Sequence, residues 1–126
     1  MKHFYLLLLL VFTTTIHAQD FSKEWQKVYE LEKERSFKTL KKAIDDLYSK
    51  ASKANNETEK AKAVLFRMKL ENNLEEISYQ KKIDRLLPEI QKSDGIYKEI
   101  YRWYYIKTIL AAYDSKQYSW NKNKLV

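Results

Sequence analysis

Apolar positions recur every three to four residues along most of this chain, and the runs are separated by asparagine, serine and glycine. Phe21, Trp25, Val28, Tyr29 and Leu31 predict a first helix, capped at Asp20 or Ser22 and reaching about Arg35. Ser36 can restart the chain as an N-cap. Phe37, Leu40, Ala43, Ile44, Leu47, Tyr48 and Ala51 then predict a second helix to about Ala54. Asn55-Asn56 is the best turn signal, because asparagine tolerates left-handed backbone and bonds to its own main chain. A third helix follows over about Glu57 to Glu71, with a break at Asn72-Asn73. A fourth spans about Glu75 to Lys92, where Pro88 predicts a kink or an early end near Leu87. Ser93-Asp94-Gly95 is the next break, and a fifth helix covers about Ile96 to Tyr113. Asp114 to Val126 is polar and poorly patterned, either a tail or the start of a continuing chain.

Two of these helices have more than one apolar face. On the third, Ala61, Val64, Leu65 and Met68 form one stripe, and Ala63, Phe66 and Leu70 lie nearly opposite. On the fifth, Ile96, Ile100, Trp103 and Leu110 form one stripe, with Tyr97, Tyr101, Tyr104 and Thr108 beside it. A helix of that kind is wedged between neighbours, as in stacked helical hairpins. Lys41 to Leu47 recurs as Gln80 to Leu86, a shift of 39 residues. A period near 40 is compatible with an α-solenoid, although so short and lysine-rich a match also arises by chance. The expected fold is all-α: about five helices stacked as helical hairpins, α-solenoid-like.

The N-terminus has a different pattern. Met1-Lys2-His3 is followed by an unbroken apolar run from Phe4 to Phe12, and Thr13 to Ala18 supplies a small-residue exit. That is the layout of a secretory signal peptide, cleaved after Ala18. A membrane anchor is the alternative, but a spanning helix needs roughly 20 apolar residues. No cysteine follows the run, so lipid attachment through one is excluded. The chain therefore divides into a signal peptide (1–18), an α-helical module (19–113) and the polar segment (114–126). Its expected location is the periplasm or cell envelope, with no membrane span after cleavage. That compartment permits disulfides, yet the chain has no cysteine, so its stability must come from packing.

Composition then narrows the chemistry. Both histidines, His3 and His17, lie in the signal segment. Beyond it there is no imidazole, no thiol, one glycine (Gly95) and one proline (Pro88). Paired carboxylates remain: Asp45-Asp46, Glu75-Glu76, and Glu30, Glu32 and Glu34. Acid-base work needs a carboxyl perturbed by burial or a close partner, whereas these acids are flanked by Lys or Arg at helical spacing. Solvated helix faces are the simpler account. No loop alternates Asp/Asn ligands around a turn glycine, so no hard-metal site is expected. The reading is no catalytic residue, no cofactor and no metal. The chain is basic, at +7, with both signs interspersed. Residues 96–126 mix aromatic and basic side chains, a combination that can stack bases, but export argues against a nucleic-acid partner. A protein contact fits better, because Tyr and Trp are enriched at interfaces. Tyr97, Tyr101 and Tyr104 are the candidate contact residues.

The order of these residues resembles one family. Trp25, Val28, Leu31 and Glu32 open the series. Ser36, Leu40, Ala43 and Ile44 follow, then Tyr48 and Ala51, Asn55 and Asn56. Lys60, Ala61, Lys62, Ala63 and Arg67 come next, and an aromatic segment follows with Tyr101, Trp103, Tyr104, Tyr118 and Trp120. The pattern is similar to the N-terminal helical region of α2-macroglobulin-like proteins of Bacteroidetes-type bacteria, over roughly residues 20–120. It departs at Glu34-Arg35, where that family often has glycine or proline. The family's β-sandwich repeats, bait region and Cys-x-Glu-Gln thioester have no counterpart in these 126 residues, so protease trapping cannot be assigned to them. The resemblance implies an exported, non-enzymatic helical module that acts as a protein-contact scaffold. Its partner would be downstream domains of the same polypeptide or an envelope protein. In that case Tyr97, Tyr101 and Tyr104 would lack some of their natural neighbours. The alternative is a free-standing secreted helical-repeat protein that binds a peptide or envelope partner.

Overall fold

The computed structural model describes the backbone of residues 20–74 and 77–124 and the side chains through Lys116 within that span. The proposed signal peptide, Glu75-Glu76 and the side chains of Tyr118 and Trp120 lie outside the described residues. Five helices are described: α1 (Ser22–Lys33), α2 (Phe37–Lys53), α3 (Glu57–Leu74), α4 (Tyr79–Lys92) and α5 (Gly95–Lys124). Among the described residues no strand occurs, and the fold is all-α. α1 packs on α2, α2 on α3 and α4 on α5, with a smaller contact between α3 and α5.

The joints are local and chemical. α1 ends with Arg35 in the left-handed region (φ +57°), while Ser36 N–H donates to Leu31 O at 3.1 Å and Arg35 N–H to Glu32 O at 3.1 Å. α2 ends the same way, with Asn55 at φ +51° and Asn56 N–H donating to Ala51 O at 2.9 Å. Both are Schellman-type ends, a geometry that usually recruits glycine. Asn56 then starts α3, its Oδ1 accepting from Glu59 N–H at 3.1 Å. Before α1, Asp20 Oδ1 accepts from Ser22 N–H at 2.9 Å and from the Ser22 hydroxyl, which lowers the Asp20 pKa. Phe21, rather than either polar residue, occupies the N-cap itself.

Four sequence expectations need correction. α3 does not break at Asn72-Asn73 but runs to Leu74. Both asparagines face solvent, where a middling helix propensity costs only a few tenths of a kcal/mol, up to ~0.7. α4 accordingly starts at Tyr79, four residues later than expected, because Ser78 Oγ accepts from Lys81 N–H at 3.3 Å and caps it. Nor does α4 end near Leu87; it continues through Pro88 to Lys92. Pro88 and Asp84 are both exposed, so water can satisfy the carbonyl that the missing N–H leaves. Finally, α5 runs on past Tyr113 to Lys124, 30 residues, or about 45 Å of helix.

Two apolar cores result, and α3 belongs to both. Phe21, Trp25 and Val28 of α1 meet Leu40, Ile44, Leu47 and Ala51 of α2 and Ala63 and Leu70 of α3. On the other side of α3, Ala61, Val64 and Met68 meet Leu86 of α4 and Tyr101 of α5. Both stripes expected on this helix therefore reach a core, with Leu65 and Phe66 half-buried. The 39-residue echo falls on α2 and α4, the first members of the closely packed pairs, and its last leucine is fully buried in each copy (Leu47 and Leu86). Among the described residues, no helix is long and apolar enough to cross a membrane.

Candidate functional site

The candidate carboxylates separate into two groups. Asp45, Asp46, Glu30 and Glu34 are exposed and Glu32 is half-buried, as solvated helix faces would place them. Among the described residues the buried acids are two that the pairing criterion did not single out, Glu71 and Glu89. Glu71 accepts from Arg67 Nε at 2.8 Å and from both Nη atoms of Arg85, with Arg85 Nη2 at 2.9 Å. Burial alone would raise its pKa; the hydrogen bonds of Arg85 and Arg67 outweigh that and hold the carboxyl below its ordinary range. Arg67 also reaches Asp45 at 3.0 Å and the Lys41 carbonyl at 2.9 Å. The network thereby ties α2, α3 and α4 together around a cleft of about 240 Å³.

Glu89 lies at the other side of that cleft. It accepts from the Tyr48 hydroxyl and faces Lys60 Nζ at 3.6 Å, while Lys60 also reaches Glu57 at 3.3 Å. Burial, then the Glu89 carboxylate, pushes the Tyr48 phenol up to about 12. A phenol so placed stays protonated and donates; a carboxylate held by two guanidiniums accepts and stays ionised. Both arrangements cross-link helices. A charged residue in register with an apolar stripe was the signal: Glu71 continues the series Ala61, Val64, Met68 at helical spacing. Among the described residues, no group of three or more His, Cys, Asp or Glu is placed to hold a metal ion.

The aromatic helix is the larger surface. The structure places Tyr97, Tyr101 and Tyr104 against the chain's own second core, which corrects the expectation of a tyrosine face short of neighbours. Tyr101 is 0% exposed and its hydroxyl has no hydrogen-bond partner among the described residues. Burial, with Glu89 and Glu57 nearby, raises its pKa. Tyr97 shares a hydrogen bond with Thr58 of α3, and Thr108 donates to the Tyr104 carbonyl at 2.8 Å. These tyrosines turn inward because α4 and α3 supply Leu86, Ile90 and Val64 to that side.

The outer side of α5 is the exposed one. Ile96 is 70% exposed, Trp103 54%, Ile106 55% and Leu110 56%. Ile96, Trp103 and Leu110 are seven residues apart, with Ile106 three beyond Trp103 and Tyr113 three beyond Leu110. At about 3.6 residues per turn these positions form one seam along the helix. Trp103 stands edge-on to Tyr104, centroids 4.9 Å apart, with Lys107 Nζ 4.4 Å above its indole. Glu99 lies within the seam and is paired to Arg102 at 2.7 Å. The surface offers apolar area with a basic rim. No family model, curated protein or solved structure matches the chain.

Proposed function

We propose that this chain is an exported, non-enzymatic helical module, akin to the leading region of bacterial α2-macroglobulin-like protease inhibitors, and that it serves as a protein-contact scaffold docking through the outer face of α5. The observation that carries this reading is the exposed seam of Ile96, Trp103, Ile106 and Leu110. Large side chains left in water along one continuous line are the usual mark of a surface that another polypeptide covers. Export rests on the layout of residues 1–18, and the family on the residue order given above. The partner is further domains of the same polypeptide or an envelope protein.

A second reading, a free-standing secreted helical-repeat protein, gains from the burial of Tyr101. The tyrosine face is complete as it stands and asks for no missing domain. Both readings place a polypeptide on the outer face of α5. Site-specific photo-crosslinking tests that shared claim: a photoreactive residue at Trp103 should capture protein in the periplasm, and one at Asp46, exposed on α2, should not. Equal capture at the two sites would sink it. N-terminal sequencing of the same material tests export, with Gln19 as the expected first residue; retention of Met1 to Ala18 in a membrane fraction would replace export by anchoring.

A further inference from the structure

The α5 seam has a register and a charge, and together they select its occupant. The side chains that face the hairpin (Tyr97, Tyr101, Tyr104, Thr108) and those of the seam lie on opposite sides of one helix. The seam repeats at the three-and-four spacing of a coiled-coil face, where a partner helix inserts side chains between successive turns. Its flanks carry Lys107 and Asp114 on one side and Lys98, Arg102 and Lys116 on the other, so the rim is basic.

We infer that the outer face of α5 takes an amphipathic helix from another polypeptide sequence, one with an apolar seam and acidic flanks. This rests on the docking reading above. Charge disfavours a second copy of the chain. In a parallel pair Arg102 would face Lys107 of the copy. In an antiparallel pair centred on Ile109 it would face Lys116, and each approach adds the repulsion of two chains of net positive charge. Glutamate or aspartate flanks reverse each of these contacts. A membrane surface fits less well, because Glu99 sits inside the apolar line and would be carried towards anionic headgroups. A partner helix can leave Glu99 on Arg102 at the margin of the contact.

The test uses two synthetic 21-residue helices with identical Leu/Ile seams, one flanked by Glu and one by Lys, titrated by fluorescence anisotropy against the purified chain. The Glu-flanked helix should bind at least tenfold tighter, with the gap narrowing as salt is raised. Trp103→Lys should lose that binding without a change in melting temperature. The double variant Arg102→Glu, Lys107→Glu should turn the preference towards the Lys-flanked helix. Equal binding of the two helices, lost in Trp103→Lys, would overturn the acidic partner while leaving the docking face standing. Self-association that Trp103→Lys abolishes would replace the partner by a second copy. Binding to vesicles of phosphatidylcholine and phosphatidylglycerol, with neither helix bound, would replace it by a membrane. Failure to bind helices, vesicles or itself would remove both the partner and the docking reading.

Discussion

α3 and α5 each present apolar side chains on two sides, but their surroundings differ. α3 has α1 and α2 against Ala63 and Leu70, and α4 and α5 against Ala61, Val64 and Met68. α5 has α4 and α3 against Tyr101 and Thr108, and Trp103, Ile106 and Leu110 are exposed on the far side. In a stack of helix pairs an interior helix needs two apolar sides, whereas an end helix is normally polar outside. α5 has an end position and an interior helix's composition. The side chains of α3 are thus explained within the chain; those on the outer side of α5 are not.

The sharpest way to break this contrast uses two residues on one helix. Tyr101 is fully buried and Trp103 more than half exposed. Removing a large aromatic from a core costs about 3–5 kcal/mol, so Tyr101→Ala should lower the melting temperature by many degrees or prevent folding. Trp103→Ala should stay within about 0.5 kcal/mol of the parent chain. Thermal melts followed by circular dichroism decide it. A comparable loss from both would mean that the outer side of α5 packs within the chain.

α3 gives the next largest effect, because it joins the two cores. Met68→Ala opens the second core and Leu70→Ala the first, each at about 2–5 kcal/mol. With α3 shared, either change should shift one common unfolding transition. Urea unfolding read separately through overall helicity and through fluorescence in a Trp103→Phe, Trp120→Phe background, where Trp25 is the remaining tryptophan, is the measurement. Two separated transitions would show that α1–α3 and α4–α5 unfold as independent halves.

Much of this was readable along the chain. The period of Leu40, Ile44, Leu47 and Ala51 set α2, and the two faces of α3 followed from Ala61, Val64, Met68 against Ala63, Leu70. Asn55 marked a turn because asparagine tolerates the left-handed region; Arg35 adopts the same conformation with no such signal. Asn72-Asn73 looked like a break because local propensity says nothing about the packing of Leu70 and Leu74 on either side of it. Which side of α5 faces inward is not legible in the pattern. The stripe of Ile96, Ile100, Trp103 and Leu110 is the more apolar by composition, yet the positions of α3 and α4, a tertiary fact, cover the tyrosine stripe instead.

A smaller effect separates the polar fastenings of the two helices. Glu71 clamps Arg67 and Arg85 inside the fold, whereas the Arg102–Glu99 pair of α5 is exposed. Glu71→Gln should cost about 1.5–3 kcal/mol, the range for hydrogen bonds to a charged group. Exposed pairs contribute about 0–1 kcal/mol, so Glu99→Gln should do little. The folded pKa of Glu71 is depressed below the ordinary 4.5, so its stabilisation is fully present above that pH and is lost as pH falls through the folded value. The gap between parent and Glu71→Gln should therefore be constant near neutrality and close in acid. A gap unchanged below pH 4.5 would show that the guanidiniums do not hold the carboxylate.

The smallest effect concerns the packed side of α5. The Tyr101 hydroxyl is buried without a partner among the described residues, and a buried unpaired hydroxyl costs about 1–3 kcal/mol. Tyr101→Phe keeps the ring and removes that oxygen, so the melting temperature should rise slightly or stay level. A rise, beside the collapse expected for Tyr101→Ala, would show that the ring holds this side of α5 and the hydroxyl adds nothing. A fall would mean that the hydroxyl is hydrogen-bonded in solution, with Glu89 and Glu57, whose charges act on it, as the candidate acceptors. The inner side of α5 would then be fastened by polar contacts as α3 is by Glu71, and the difference between the two helices would narrow to the outer seam alone.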